Sequence, residues 1–174
     1  LEPAFAAALV AWVRRGGTLV VADPDAFTRT TRGRSLAAVR RALVGAPLGP
    51  PRSGRTLRVL PGTLGPGGPS AELFVPVYAG RARAFAAVPA GAIVVARFLD
   101  DAPAVISRPV GAGRVVAFAT SILDPQTLTD DDQAVAFARA LQASYGGRLD
   151  VPAWDYRVPG DPEPARLPWA DDAG

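Results

Sequence analysis

The chain has 174 residues, 49% of them hydrophobic and 20% charged, which is enough for one core-forming domain and too few for two. It contains no Cys, His, Met, Lys or Asn, so its 19 positive charges are all Arg. Thiol proteases, Ser-His-Asp triads, thiolate or imidazole zinc sites, Lys Schiff bases and disulfides are excluded from these residues, and neither a catalytic residue set nor a cofactor is expected.

A pI near 10.1 suggests a nucleic-acid partner, but the formal net charge is only +3. Between the carboxylates and Arg little remains to titrate except three Tyr, so the charge stays near +3 until Tyr ionises around pH ~10. Distribution matters more. Residues 1–58 hold ten Arg against three acids, residues 59–123 five against three, and residues 124–174 four against ten, giving +7, +2 and −6. The basic half lacks the interleaved aromatics of a nucleic-acid surface.

Residues 3–15 read as a helix, with Pro near the first turn, Phe5, Leu9, Trp12 and Val13 recurring on one face, and Arg14 and Arg15 closing it before Gly16-Gly17. Residues 18–22 are apolar on both faces and β-branched, as expected of a central parallel strand covered by helices on each side. Asp23-Pro24-Asp25 breaks that strand. Leu36, Val39 and Leu43 then mark a second amphipathic helix whose outer side carries Arg34, Arg40 and Arg41.

From 45 to 69, thirteen of twenty-five residues are Gly or Pro, which predicts a surface excursion containing only a short edge strand at 56–60. Residues 73–78 form another brief extended segment, interrupted by Pro76. Residues 93–99, 104–107 and 114–120 are stronger strands, the last two joined by a glycine turn at 109–113 that predicts an antiparallel hairpin. Thr129 and the acids after it form a helix N-terminus. That helix runs to about Tyr145, buries Ala134, Phe137, Ala138, Leu141 and Tyr145, and stops at Gly146-Gly147. The chain thus divides into an α/β domain over 1–148 and a Pro-rich acidic tail or linker over 149–174, with one more edge strand expected around 149–151.

The succession helix, Gly-Gly and apolar strand over 9–27, followed by the strand and hairpin pattern over 94–123 and a terminal helix, resembles the class I glutamine amidotransferase-like superfamily. Within it, the sequence is similar to two non-catalytic branches. One is the trimerisation domain of bacterial beta-galactosidases, matched by Ala102-Pro103-Ala104 and the Gly-x-Gly-Arg hairpin. The other is an uncharacterised domain of bacterial envelope proteins, matched by Leu123-Asp124-Pro125, Asp131-Asp132-Gln133-Ala134 and Trp154-Asp155-Tyr156 over roughly residues 5–160. The resemblance implies a flavodoxin-like three-layer sandwich with a mixed sheet whose first strands precede Leu1, and an extracytoplasmic or membrane-tethered parent. A working amidotransferase needs a Cys nucleophile and a His partner, and both are missing.

Ligands of open α/β sheets sit outside the carboxyl ends of parallel strands, which makes Asp23, Asp25, Thr120, Ser121 and Asp124 a candidate cleft for a sugar or a hydrated cation. Turn chemistry accounts for the same residue types. Helix capping explains Asp130, Asp131 and Asp132 better than calcium does, and Asp100-Asp101 reads as a loop corner rather than a glycosidase pair. Gly111-Ala112-Gly113-Arg114 looks like a phosphate loop but leads into a strand. Trp154, Tyr156 and Trp169, on the Pro-rich tail, are candidate docking aromatics that need a surface to cover.

The function expected is a non-catalytic assembly or ligand-sensing domain of a larger bacterial envelope or secreted protein; the alternative is an accessory, trimerisation-like domain of a carbohydrate-active enzyme such as a beta-galactosidase. Expected partners are other domains of the parent protein and further copies of the chain, rather than nucleic acid, with no membrane span among these residues.

Overall fold

A computed structural model describes residues 3–29, 33–52, 56–77, 82–121 and 132–144. Helix α1 (Pro3–Arg14) ends where Gly16 takes φ 121°, a conformation that side-chain-bearing residues rarely adopt. The Gly16 and Gly17 amides donate to the carbonyls of Val13 and Trp12 at 3.0 and 3.2 Å, and the Trp12 ring lies across Gly17. Strand β1 (Thr18–Val21) follows, then α2 (Ala37–Leu43), β2 (Leu48–Arg52), β3 (Thr56–Val59), β4 (Leu73–Pro76), β5 (Ala82–Phe85), β6 (Ile93–Phe98), β7 (Pro103–Val110), β8 (Gly113–Phe118) and α3 (Asp132–Ser144).

Six strands form one sheet in the order β1-β8-β7-β6-β3-β4. Among the described strands only β1 and β8 run parallel, with Thr18 opposite Arg114 and Val21 opposite Ala117; every other neighbouring pair in this sheet is antiparallel. β2 and β5 make a separate two-stranded antiparallel sheet, irregular between Leu48 and Pro51, where Pro50 and Pro51 lack amide donors.

The pleat of β8 divides the interior. Val115 and Ala117 enter a core with Val13 of α1, Leu43 of α2, Ile106 and Phe85, whereas Val116 and Phe118 enter a second core with Leu57, Val59, Val75 and Phe98. Ala134, Phe137 and Leu141 of α3 close this second core, the Phe118 and Phe137 rings meeting at 6.1 Å between centroids. Helices therefore cover both faces of the sheet, and the mixed α/β organisation with its antiparallel β7–β8 hairpin follows the sequence pattern.

Four expectations need correction. The α/β organisation holds, but the sheet is not clearly flavodoxin-like: such a sheet is mostly parallel, and among the described strands only β1 and β8 pair in parallel. The segment predicted as a central strand, β1, lies at the sheet edge among the described residues. Conversely, β3 sits inside the sheet between β6 and β4 despite its Gly- and Pro-rich flanks, because Leu57 and Val59 are fully buried and alternation outweighs composition. The excursion around β3 is also less superficial than predicted: Leu64 is buried, and a Cβ on Gly67 would lie 2.8 Å from the Ala143 carbonyl carbon of α3.

The expected helix cap at Thr129 to Asp131, the buried Tyr145 and the edge strand at 149–151 lie outside the described residues. No helix among the described residues is long and apolar enough to cross a membrane.

Candidate functional site

The carboxyl ends of β1 and β8 lie side by side, so their parallel register brings Asp23 and Asp25 to the same end of the sheet as Thr120 and Ser121. What each side chain does there differs. Asp23 Oδ1 accepts the Asp25 amide at 2.8 Å and the Asp23 carbonyl accepts the Ala26 amide at 3.1 Å, a side-chain-stabilised turn around buried Pro24. Phe27 then takes φ 60°, a left-handed conformation uncommon for a bulky residue. Arg40 of α2 holds this turn by donating from Nη1 to the Ala26 carbonyl at 2.9 Å. Burial lowers the Arg40 pKa, while the negative charges of Asp25 and Asp23 oppose that shift and Arg83 adds to it.

Thr120 is fully buried and its hydroxyl has no hydrogen-bond partner among the described residues; Ser121 is half-buried. No hydrogen bond or ion pair among the described residues joins Thr120 or Ser121 to Asp23 or Asp25. Asp124 and the three tail aromatics Trp154, Tyr156 and Trp169 lie outside the described residues. The sheet end therefore gathers four of the five cleft residues, with Asp23 bound into a turn and Arg40 anchored on the carbonyl of Ala26 beside it. No group of three acids among the described residues converges to hold a metal ion.

A second polar cluster, which the sequence pattern did not reveal, surrounds the β6–β7 corner. Asp101 takes φ 65° in a turn closed by Phe98 N–H to Ala102 O at 2.9 Å and Asp101 N–H to Phe98 O at 2.9 Å. Its carboxylate receives Arg58 Nη2 at 2.6 Å, and its carbonyl receives Arg97 Nη1 at 2.7 Å. Asp100 pairs with Arg52, whose guanidinium stands 5.3 Å from the Phe98 ring centroid, and Arg58 Nε lies 3.9 Å from Glu72. Three Arg face three acids, and the cluster is charge-balanced. The Asp100-Asp101 dipeptide was the only sequence signal for it, because the partners arrive from β2, β3 and β6 by tertiary folding.

The Gly111-Ala112-Gly113-Arg114 turn binds backbone instead of phosphate. The Ala112 amide donates to the Arg14 carbonyl at 2.9 Å, which caps the C-terminus of α1, and the Arg114 amide donates to the Gly17 carbonyl beyond it at 3.1 Å.

No family model matches the chain, and no curated protein matches it in sequence. Its fold is similar to part of several solved structures. An exo-beta-1,4-mannosidase from Opitutaceae bacterium strain TAV5 matches with TM-score 0.53 and 19% identity over 80% of this chain and 22% of that one. A beta-galactosidase from Bacillus circulans sp. alkalophilus matches with TM-score 0.52 and 18% identity over 84% and 21%, and one from Rahnella sp. R3 with 0.52 and 17% over 82% and 21%. The chain thus spans about a fifth of the length of these enzymes. At these identities the likeness is one of fold, and no family model supports the amidotransferase-like or envelope assignment.

Proposed function

We propose that the chain is a non-catalytic accessory domain of a larger carbohydrate-active enzyme. The asymmetry of the structural likeness carries this reading: at least 80% of the chain is covered while only 21–22% of each glycosidase is. The chemistry of the described residues agrees with it. A glycosidase needs two carboxyl groups facing each other across a substrate, about 5 to 10 Å apart. Asp100 and Asp101 are instead neighbours in one turn and paired to Arg52 and Arg58, and Asp23 is engaged in its own turn.

Two measurements test the reading. The purified chain is expected to show no turnover of nitrophenyl beta-galactoside or beta-mannoside, and turnover abolished by a single carboxylate substitution overturns the non-catalytic half. In the parent polypeptide, glycoside hydrolysis is expected and its kcat should survive Asp23→Asn, Asp25→Asn, Asp100→Asn and Asp101→Asn. A parent without glycosidase activity overturns the other half.

A further inference from the structure

Helices α1 and α2 cover only half of their side of the sheet. Of the six strands, their core takes residues from β1, β8 and β7, only Val94 from β6, and none from β3 or β4 among the described residues. The bare half carries a row of side chains. Arg58 of β3 stands opposite Phe74 of β4 on one side and Arg97 of β6 on the other, and residues directly opposite share a face. Leu57, Val59 and Val75 alternate with them into the core under α3, so the row points the other way. Phe74 is 43% exposed. Around it the polar groups are already ordered: Arg58 holds the Asp101 carboxylate at 2.6 Å and lies 3.9 Å from Glu72, while Arg97 donates to the Asp101 carbonyl at 2.7 Å.

This face sets one flat apolar ring beside fixed donors and acceptors. Arg58 and Arg97 against Glu72 and Asp101 sum to zero charge, which draws neither an anion nor a basic chain. A protein partner ordinarily buries a cluster of aromatic anchors, and this face offers one ring among the described residues. A pyranose fits what is present. Its C–H face packs on the negative face of an aromatic ring, and its hydroxyls both donate and accept, which the guanidinium groups and the carboxylates satisfy in turn. Because these side chains are held by one another before any ligand arrives, little ordering remains to be done on binding. We propose that the Phe74–Arg58–Arg97 face, flanked by Glu72 and Asp101, binds a neutral saccharide stacked on Phe74. Among neutral ligands, the choice of a sugar rests on the accessory-domain reading.

Nuclear magnetic resonance titration of the isotope-labelled full chain with beta-1,4-linked mannotetraose and galactotetraose tests the proposal. Amide shifts are expected in residues 56–59, 72–76 and 97–101, with roughly millimolar affinity for at least one of the two sugars. Phe74→Leu keeps an apolar residue on the strand but removes the flat ring, and is expected to weaken binding roughly tenfold, whereas Phe74→Tyr retains it. Trp12→Ala, which removes an exposed ring on α1, should leave the affinity unchanged, and dispersed spectra report that each variant is folded. No shift with either sugar at about 20 mM, shifts confined to other residues, or unchanged affinity in Phe74→Leu overturns the proposal. Equal shifts from inorganic phosphate also overturn it, because they show a response to charge. So do shifts at this face that vary with protein concentration before sugar is added, which place a second copy there. The titration involves no hydrolysis, so its failure leaves the accessory-domain reading standing, and that reading falls separately if the parent lacks glycosidase activity.

Discussion

Gly113 stands against the carbonyl oxygen of Val13, where any Cβ would collide with that oxygen and with the carbonyl of Gly17. The β7–β8 turn thereby packs its own backbone against the end of α1, the Ala112 amide capping the Arg14 carbonyl and the Arg114 amide reaching the Gly17 carbonyl just beyond the helix. Both contacting groups are backbone, so neither can swing aside.

Gly113→Ala should therefore destabilise the chain by about 3 kcal/mol, the upper part of the overpacking range. Gly111→Ala should also be costly, since its φ is 64° and a Cβ there would lie 2.7 Å from the Arg14 carbonyl oxygen. Ala112→Gly, at an exposed position, should cost under ~1 kcal/mol. Urea unfolding of the three variants checks the order, and a Gly113→Ala variant as stable as the parent would contradict the close approach.

Thr120 offers the opposite sign. A buried hydroxyl without a partner costs about 1 to 3 kcal/mol, and Thr120→Val keeps the shape while removing it. Thr120→Val is expected to raise stability by about 1 kcal/mol. A loss of stability on urea unfolding would mean that the hydroxyl is satisfied in solution.

Asp101 adopts a left-handed conformation that glycine tolerates without strain, at the expense of about 1 kcal/mol for a side-chain-bearing residue. What it gains is the exposed pair with Arg58, of a kind that contributes about 0.5 kcal/mol. Asp101→Gly should thus be close to neutral. A double-mutant cycle of Asp101→Asn with Arg58→Gln should show coupling of about 0.5 kcal/mol that fades in 1 M salt; undiminished coupling there would contradict a screened surface pair.

Phe137 is the anchor of α3, fully buried against Phe118. Phe137→Ala should cost about 3 to 5 kcal/mol, with near-ultraviolet circular dichroism reporting the loss of ring packing. A cost below ~1 kcal/mol would mean that α3 does not close the second core.

Arg40→Ala removes the hydrogen bond that fixes the Ala26 carbonyl next to left-handed Phe27 and leaves Asp25 and Asp23 without their guanidinium. A loss of about 1 to 2 kcal/mol is expected, with amide exchange rising in 23–28 and unchanged in β6 and β7. Uniform exchange throughout would place the role of Arg40 elsewhere.

Local pattern was sufficient wherever neighbours in sequence decide the outcome. The Gly-Gly stop after α1, the glycine hairpin between β7 and β8 and the turn at Asp23-Pro24-Asp25 were all readable because backbone conformation there is set by the residues themselves. Phe137 and Leu141 were readable as a buried stripe for the same reason, helical spacing being a local property.

Position within the sheet was not legible. An apolar run such as 18–21 reads the same at an edge as at the centre, and β3 looked peripheral until β6 and β4 enclosed it, since pairing partners are chosen by long-range packing. The ionic cluster at Asp100 and Asp101 likewise exists only once three separate strands deliver their Arg side chains. The residue types alone excluded thiol, imidazole and Lys chemistry, because no fold can supply an atom that the chain lacks. Which of the remaining charges meet, and which part of the sheet stays uncovered, only the tertiary structure decided.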